Sequence, residues 1–218
     1  MTAKYTLVCF DLDGTLVTGL DYVWTTLHHH FHTDARARRE ARRAFRAGRI
    51  TYTQWFDHDV RLLRAVGATR TAISELFRTI RLVPGARETL DALRDAGVKL
   101  AVLSGSVDLL LDIALPGERF DHVLINRFGF DADGLIQGGT PTAFDVDRKA
   151  DGIVELCRRE GLAPSRCAFV GDNENDVTAA RTAGFSIAFD CKSRKLADAA
   201  SVVVPGGDLR AILPYLLG

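Results

Sequence analysis

The chain has few cysteines, and none sits at a redox or metal spacing. Its 218 residues hold four, Cys9, Cys157, Cys167 and Cys191, with no Cys-x-x-Cys pair. That excludes a disulfide-stapled scaffold and a zinc ribbon. Cys9 and Cys167 lie in or beside apolar strand-like runs and read as small buried hydrophobes, which suits a reducing compartment. No sign of charge is in excess: 28 basic residues balance 28 acidic ones. Bulk attraction to nucleic acid or to an anionic membrane is therefore not expected. The arginine-rich run Arg36–Arg46, broken by alanines and Glu40, reads as the solvated face of a helix. No apolar run approaches the roughly 20 residues that span a bilayer. After Met1–Lys4 comes a core strand and not a signal-type segment. The expectation is a cytoplasmic protein with no membrane or nucleic-acid partner. Internal repeats and low-complexity linkers are missing too, so the length fits one large domain, or one domain with a small appendage.

What is present is concentrated near the start. Tyr5–Phe10 is an apolar run that reads as a buried strand, and it ends in Asp11-Leu12-Asp13-Gly14-Thr15. Two carboxylates two residues apart repel each other unless a proton or a cation relieves them. Such a pair at a strand end marks a site with a bound metal, a perturbed pKa, or both.

Residues 19–80 show no strand alternation and are rich in Ala, Arg, Leu and aromatics. Breaks near Thr33-Asp34, Gly48 and Gly67 predict several helices there. From Val83 the pattern alternates between helix and strand. Pro84-Gly85 opens a helix that Gly97 stops. Val98–Leu103 is a strand ending at Ser104-Gly105-Ser106, and Val107–Leu115 a helix. Val123–Asn126 is a strand, and Asp131-Ala132-Asp133-Gly134 a hairpin turn. Lys149–Gly161 is an amphipathic helix, and Cys167–Val170 a strand ending at Gly171-Asp172. Val177–Ala183 is a helix, Phe185–Phe189 and Ser201–Val204 are strands, and a terminal helix starts at Asp208-Leu209. Strands separated by helices imply an α/β, Rossmann-like doubly wound parallel sheet in three layers, with an inserted helical cap and a small β-hairpin. The expected division is a core of residues 1–18 and 81–218 and a cap of residues 19–80. Ligands of such sheets bind at the carboxyl ends of the strands. Asp11 and Asp13, Ser104 to Ser106, and Asp172 each follow directly on an apolar run, so the cap should overhang them as a lid.

These clusters, in this order, resemble the haloacid dehalogenase superfamily of phosphohydrolases. The motifs are Asp11-Leu12-Asp13-Gly14-Thr15, Ser104 after its strand, Lys149, and Gly171-Asp172-Asn173-Glu174-Asn175-Asp176. The resemblance covers nearly the whole chain and is nearest to the phosphoserine-phosphatase-like branch, which carries a helical lid in this place. It implies a Mg²⁺-dependent phosphomonoesterase acting on a small phosphorylated metabolite. Asp11 would be the nucleophile, forming an aspartyl-phosphate. Asp13 would protonate the leaving oxygen and then deprotonate water. Ser104 and the Gly105 amide would hold phosphoryl oxygens, with the Leu12 and Asp13 amides beside them and Asn175 among the substrate-binding residues. Lys149 would supply a fixed positive charge. Asp11, the Asp13 carbonyl and Asp172 would ligate the metal, and Asp176 would assist. So many carboxylates around an anionic substrate require a hard, oxygen-seeking cation. If the chain turns helical after Gly171, Asp172 and Asp176 face the same way. The other readings of the same fold are phosphoryl transfer from Asp11 to an alcohol, and a non-catalytic phospholigand-binding protein. A monomer and a homodimer are both compatible.

The chain also departs from that branch. Its first motif has Leu12 and Gly14 where phosphoserine phosphatases usually have Phe and Ser. Leu20 stands where a Glu would hold the substrate amine, and Asp57 near where an Arg would hold its carboxylate. Asp21 supplies an acid only with a shift of register. The amino-acid clamp is therefore expected to be absent. Asn173 and Asn175 also suit helix caps. Consecutive histidines on a helix diverge, so His28, His29, His30 and His32 are expected at the surface or the lid rim. Tyr52, Trp24, Trp55 and Phe56 are expected in the lid core, with one or two lining a pocket.

Overall fold

The computed structural model describes residues 3–20 and 22–218. Strand β1 (Leu7–Phe10) is buried along its whole length. Its alternate residues feed two separate apolar clusters, Val8 and Phe10 on one face and Leu7 and Cys9 on the other. That is the period of a strand covered on both sides.

After β1 the chain forms β2 (Val17–Thr18) and then four helices: α1 (Val23–His30), α2 (Ala35–Arg46), α3 (Tyr52–Ala65) and α4 (Arg70–Phe77). It returns through β3 (Arg81–Leu82), which pairs antiparallel with β2 and joins the two ends of the helical segment. The expected breaks fall between these helices. Asp34 caps α2 through the amides of Arg36 and Ala37, and Thr51 caps α3 in a capping box with Gln54.

The remaining elements are α5 (Ala86–Asp95), β4 (Lys99–Val107), α6 (Asp108–Ala114), β5 (His122–Phe130), β6 (Ile136–Thr140), α7 (Lys149–Glu160), β7 (Cys167–Gly171), α8 (Val177–Thr182), β8 (Phe185–Phe189), α9 (Arg194–Ala199), β9 (Val202–Val204) and α10 (Leu213–Leu216). The main sheet runs β6-β5-β4-β1-β7-β8-β9. All its pairs are parallel except β5 with β6. Leu90, Leu93, Leu110, Ile212 and Leu216 cover one face, while Ile153, Leu156, Ala179 and Leu196 cover the other. This is a three-layer, doubly wound α/β fold with a hairpin at one edge. Each fully buried aliphatic side chain contributes about 1.5–3 kcal/mol.

Two expected boundaries move. Strand β4 does not end at Leu103 but runs on through Ser104-Gly105-Ser106, with a register shift against β5 between Leu103 and Val107. Strand β5 is one piece to Phe130, and the turn that follows is held by Asp131 Oδ1, which accepts from the amides of Asp133 and Leu135. Helix α9 had no signal in the apolar pattern. Its cap is Ser193, which accepts from the amide of Leu196.

Strand order decides where the polar groups meet. Strand β1 is central and lies between β4 and β7. Asp11 and Asp172 therefore leave β1 and β7 at the same edge, beside Ser104 on the neighbouring β4. Among the described residues, no helix is long and apolar enough to cross a membrane.

Candidate active site

The edge above β1 gathers four buried carboxylates, those of Asp11, Asp13, Asp172 and Asp176. Oxygens of Asp11, Asp172 and Asp176 lie within 4.8 Å of one another. Lys149, at the start of α7 and fully buried, enters between two of them. Its Nζ lies 2.9 Å from Asp11 Oδ1 and 2.6 Å from Asp176 Oδ1. A lysine drawn from the first turn of a helix into a closed interior needs such partners. Burial opposes its charge, but Asp11, Asp176 and Asp145 together outweigh burial and push its pKa up.

Asp176 is fully satisfied. Its Oδ2 accepts from the amides of Asp172 and Asn173, while Oδ1 takes Lys149. Residue 172 is thus not helical, contrary to the expected four-residue spacing. Asn173 caps a short 3-10 turn over Glu174–Asp176, and the Asp176 carboxylate folds back on it. Asn173 is therefore a cap, whereas Asn175 is not. The Asn175 Oδ1 is buried without a hydrogen-bond partner, and no hydrogen bond joins it to the carboxylates.

Asp172 is the opposite case. Its Oδ2 pairs with Lys192 Nζ at 3.1 Å, while its Oδ1 is buried with no hydrogen-bond partner. Burial, then Asp11 and Asp176, push its pKa up to about 7. Asp176 is raised to about 6, chiefly by burial. Gly14 makes room for this arrangement. Its φ is +84°, and any Cβ there would collide with the Asp172 carboxylate.

Asp13 is held from two sides. Val23 N–H, at the start of α1, donates to Oδ2 at 2.6 Å, and Ser106 Oγ donates to Oδ1 at 2.7 Å. Burial and the charge of Asp11 outweigh these donors and raise its pKa to about 7. A carboxyl group near neutrality can both give and take a proton at physiological pH. Ser104 Oγ accepts from the amide of Ser106 at 3.1 Å. The Leu12 side chain is buried in the core, and its carbonyl accepts from the amides of Thr15, Leu16 and Val17, closing the turn after Asp11.

Residues without a motif complete the surroundings. Gly105 lies against Asp145, whose carboxylate fills the space a side chain at 105 would need. The Tyr52 hydroxyl lies 2.9 Å from Asp145 Oδ2 and within hydrogen-bond reach of Asn126. Trp24 Nε1 donates to the Gly105 carbonyl at 2.9 Å. Burial raises the pKa of Asp145, and burial then Asp145 raise that of Tyr52. Asp145 is followed by Val146 with φ +52°, a costly conformation for a β-branched residue. That the alignment of acids was visible in the sequence while these contacts were not has a simple cause: the partners lie 74 to 93 residues apart.

Comparison with known proteins gives the family. The family model of the haloacid dehalogenase-like hydrolases matches residues 5–184. The chain belongs to that family. It is 31% identical over 193 residues to a phosphoserine phosphatase of Halobacterium salinarum, covering 86% of this chain and 87% of the relative. It is 25% identical over 217 residues to that of Methanocaldococcus jannaschii, covering 99% and 100%. With that of Archaeoglobus fulgidus it shares 29% over 186 residues, 85% of this chain but only 53% of the relative. A solved structure of a substrate-bound phosphoserine phosphatase superposes with a TM-score of 0.77 at 24% identity, over 98% of this chain and 99% of that one. The chain is thus a phosphatase of the family's phosphoserine-phosphatase-like branch.

Within that branch its own features stand out. Leu20 is packed into the apolar core, and Asp57 is exposed on α3. Asp21 lies outside the described residues. The histidines divide. His29, His30 and His32 are exposed as expected, but His28 is buried. Its Nδ1 lies 2.7 Å from Thr33 Oγ1, and its Nε2 3.4 Å from the buried Asp59. An acid two helices further along the chain, Asp59 on α3, faces that buried ring, and the local sequence does not show it. Phe56 is in the core as expected, whereas Trp24 and Tyr52 reach across to β4 and to the segment before α7.

Proposed function

We propose that this phosphatase hydrolyses a small phosphate monoester through an aspartyl-phosphate on Asp11. The observation that carries the reading is the buried cluster of Asp11, Asp172 and Asp176 beside Asp13. Helices α1 to α4, residues 19–80, act as a lid on a core of residues 1–18 and 81–218.

Mg²⁺ fits the donor set. Asp172 offers a buried Oδ1 without a hydrogen-bond partner beside an Oδ2 that faces only Lys192, and Asp11 has one oxygen beyond Lys149. Asp11, the Asp13 carbonyl and Asp172 would hold the ion, and Asp176 would support them through Lys149 and the 172–173 amides. A hard divalent cation supplies charge neutralisation for the anionic ester and its nucleophile.

An Asp11 carboxylate oxygen attacks phosphorus, and the P–O bond to the leaving group breaks. Asp13 gives its proton to that leaving oxygen and so becomes the carboxylate. It next takes a proton from water as the water attacks phosphorus, and the Asp11–phosphorus bond breaks to release phosphate. The proton fits best on Oδ1 of Asp13. The Ser106 hydroxyl facing that atom can rotate to accept, while Val23 N–H at Oδ2 can only donate. The Ser104 hydroxyl, the Gly105 amide and the amides of Leu12 and Asp13 hold the phosphoryl oxygens. Lys149 balances their charge. Asn175 would bind the substrate through its unpartnered Oδ1.

Phosphoserine is the substrate named for the relatives. Leu20 supplies no charge for its amine, and Asp57 carries the wrong sign of charge for its carboxylate, which favours another small phosphorylated metabolite. The three buried free thiols, Cys9, Cys157 and Cys167, suit the reducing cytoplasm. Phosphate release from an aryl phosphate and from a metabolite panel including phosphoserine tests the reading. Asp11→Asn should lower kcat by at least about 10⁴-fold. Chelator should abolish turnover, and acid quench should trap phosphate on the wild-type chain. Full activity in Asp11→Asn would refute the proposal.

A further inference from the structure

Helix α1 grips the site with two adjacent residues. Val23 N–H holds Asp13, and Trp24 Nε1–H holds the carbonyl of Gly105. The same carbonyl accepts from Asn126 Nδ2 at 2.7 Å. Two donors occupy both lone pairs of a carbonyl oxygen. Asn126 is itself fully buried and fixed, its Oδ1 accepting from the amide of Thr142 at 2.8 Å. Its remaining donor capacity faces the Tyr52 hydroxyl at 3.0 Å and the Ser106 carbonyl at 3.1 Å.

A trans peptide unit is planar, so fixing its carbonyl fixes the N–H at its other end. The other end of this unit is the amide of Ser106, which donates to Ser104 Oγ. With that N–H on one lone pair, the Ser104 hydroxyl keeps its own proton for a different acceptor. The Ser106 side chain, carried on the same unit, donates to Asp13.

We propose that Trp24 is a positioning residue: by holding the Gly105–Ser106 peptide, it turns the Ser104 hydroxyl proton toward the phosphoryl oxygen. This rests on the reading of Ser104 as a phosphoryl ligand. It makes the serine's orientation depend on α1 being seated over β4, so lid closure and phosphoryl binding are coupled through one peptide unit. The indole ring also packs edge-on against Phe56 and Phe128, with centroids 5.5 and 5.6 Å away. The test must therefore separate the N–H from the ring.

A double-mutant cycle on kcat for an aryl phosphate does so. Trp24→Phe and Ser104→Ala should each cost roughly tenfold, because one well-placed hydrogen bond is at stake. In the Ser104→Ala background, Trp24→Phe should cost less than about twofold. Because Trp24→Phe also shortens the ring, benzothienylalanine at position 24 serves as a second variant. It exchanges the N–H for sulfur at nearly constant shape and should reproduce the loss with an unchanged melting temperature. Losses that multiply in the double variant, or wild-type kcat with benzothienylalanine, overturn the coupling and leave the Ser104 reading intact. Full activity in Ser104→Ala overturns both.

Discussion

Gly14 shows at the scale of one residue why the first motif tolerates so little. The turn after Asp11 must bring the chain back over Asp172, and the left-handed φ at Gly14 does so with no side chain in the way. Gly19 has a similar φ of +90° but nothing within contact distance of a Cβ. The pair separates backbone strain from site geometry. Either glycine changed to alanine should cost about 1–3 kcal/mol of stability for the strained backbone. Gly14→Ala should in addition lower kcat by roughly 10²-fold, because it displaces Asp172, the proposed metal ligand. Gly19→Ala should retain wild-type kcat. Thermal melts and phosphate-release kinetics on the two proteins decide it, and equal kcat in both would dissociate Gly14 from the site.

Elements were legible in the sequence where a short-range rule governs them. The helices of residues 19–80 break where Asp34, Gly48 and Gly67 stand, because caps and left-handed glycines act within one turn. The strands that deliver Asp11, Ser104 and Asp172 were visible as apolar runs that stop at polar groups. What was not visible depends on distant partners. Strand β4 runs past Ser104 because Val107 still pairs with Asn126 on β5. His28 is buried because Asp59 on α3 faces it. Trp24 and Tyr52 read as lid interior, yet their polar tips bond to Gly105 and Asp145. Caps, by contrast, give a clean expectation at this scale. Asp34→Ala removes the acceptor for two amides of α2, a helix whose only buried residue is Ala41. It should cost about 1 kcal/mol in a denaturant melt, with kcat unchanged. A loss of kcat would mean that α2 reaches the site.

At the scale of the molecule, the neutral balance of the sequence conceals a strong local imbalance. Asp13, Asp172 and Asp176 are held at about 7, 7 and 6, well above the ordinary carboxylate value of 3.8. Without a cation, the native state therefore binds protons that the unfolded chain has released between about pH 4 and pH 7. The contribution of these groups to stability is complete below pH 4 and is lost progressively as pH rises from about 4 through 6 to 7. A divalent ion that binds only the native state acts in the opposite direction, because it needs the same carboxylates ionised. Metal-free protein should thus melt at a lower temperature at pH 7.5 than at pH 5.5. Mg²⁺ at about 100 times its dissociation constant should add about 2.7 kcal/mol at pH 7.5, roughly 5–10 °C for a chain of this size. The gain at pH 5.5 should be much smaller, since protons there occupy the sites the ion requires. Calorimetry at the two pH values, with chelator and with Mg²⁺, measures all four melts. An equal rise at both would show that the ion binds away from these carboxylates, and the cluster would then need another account of how its charge is held.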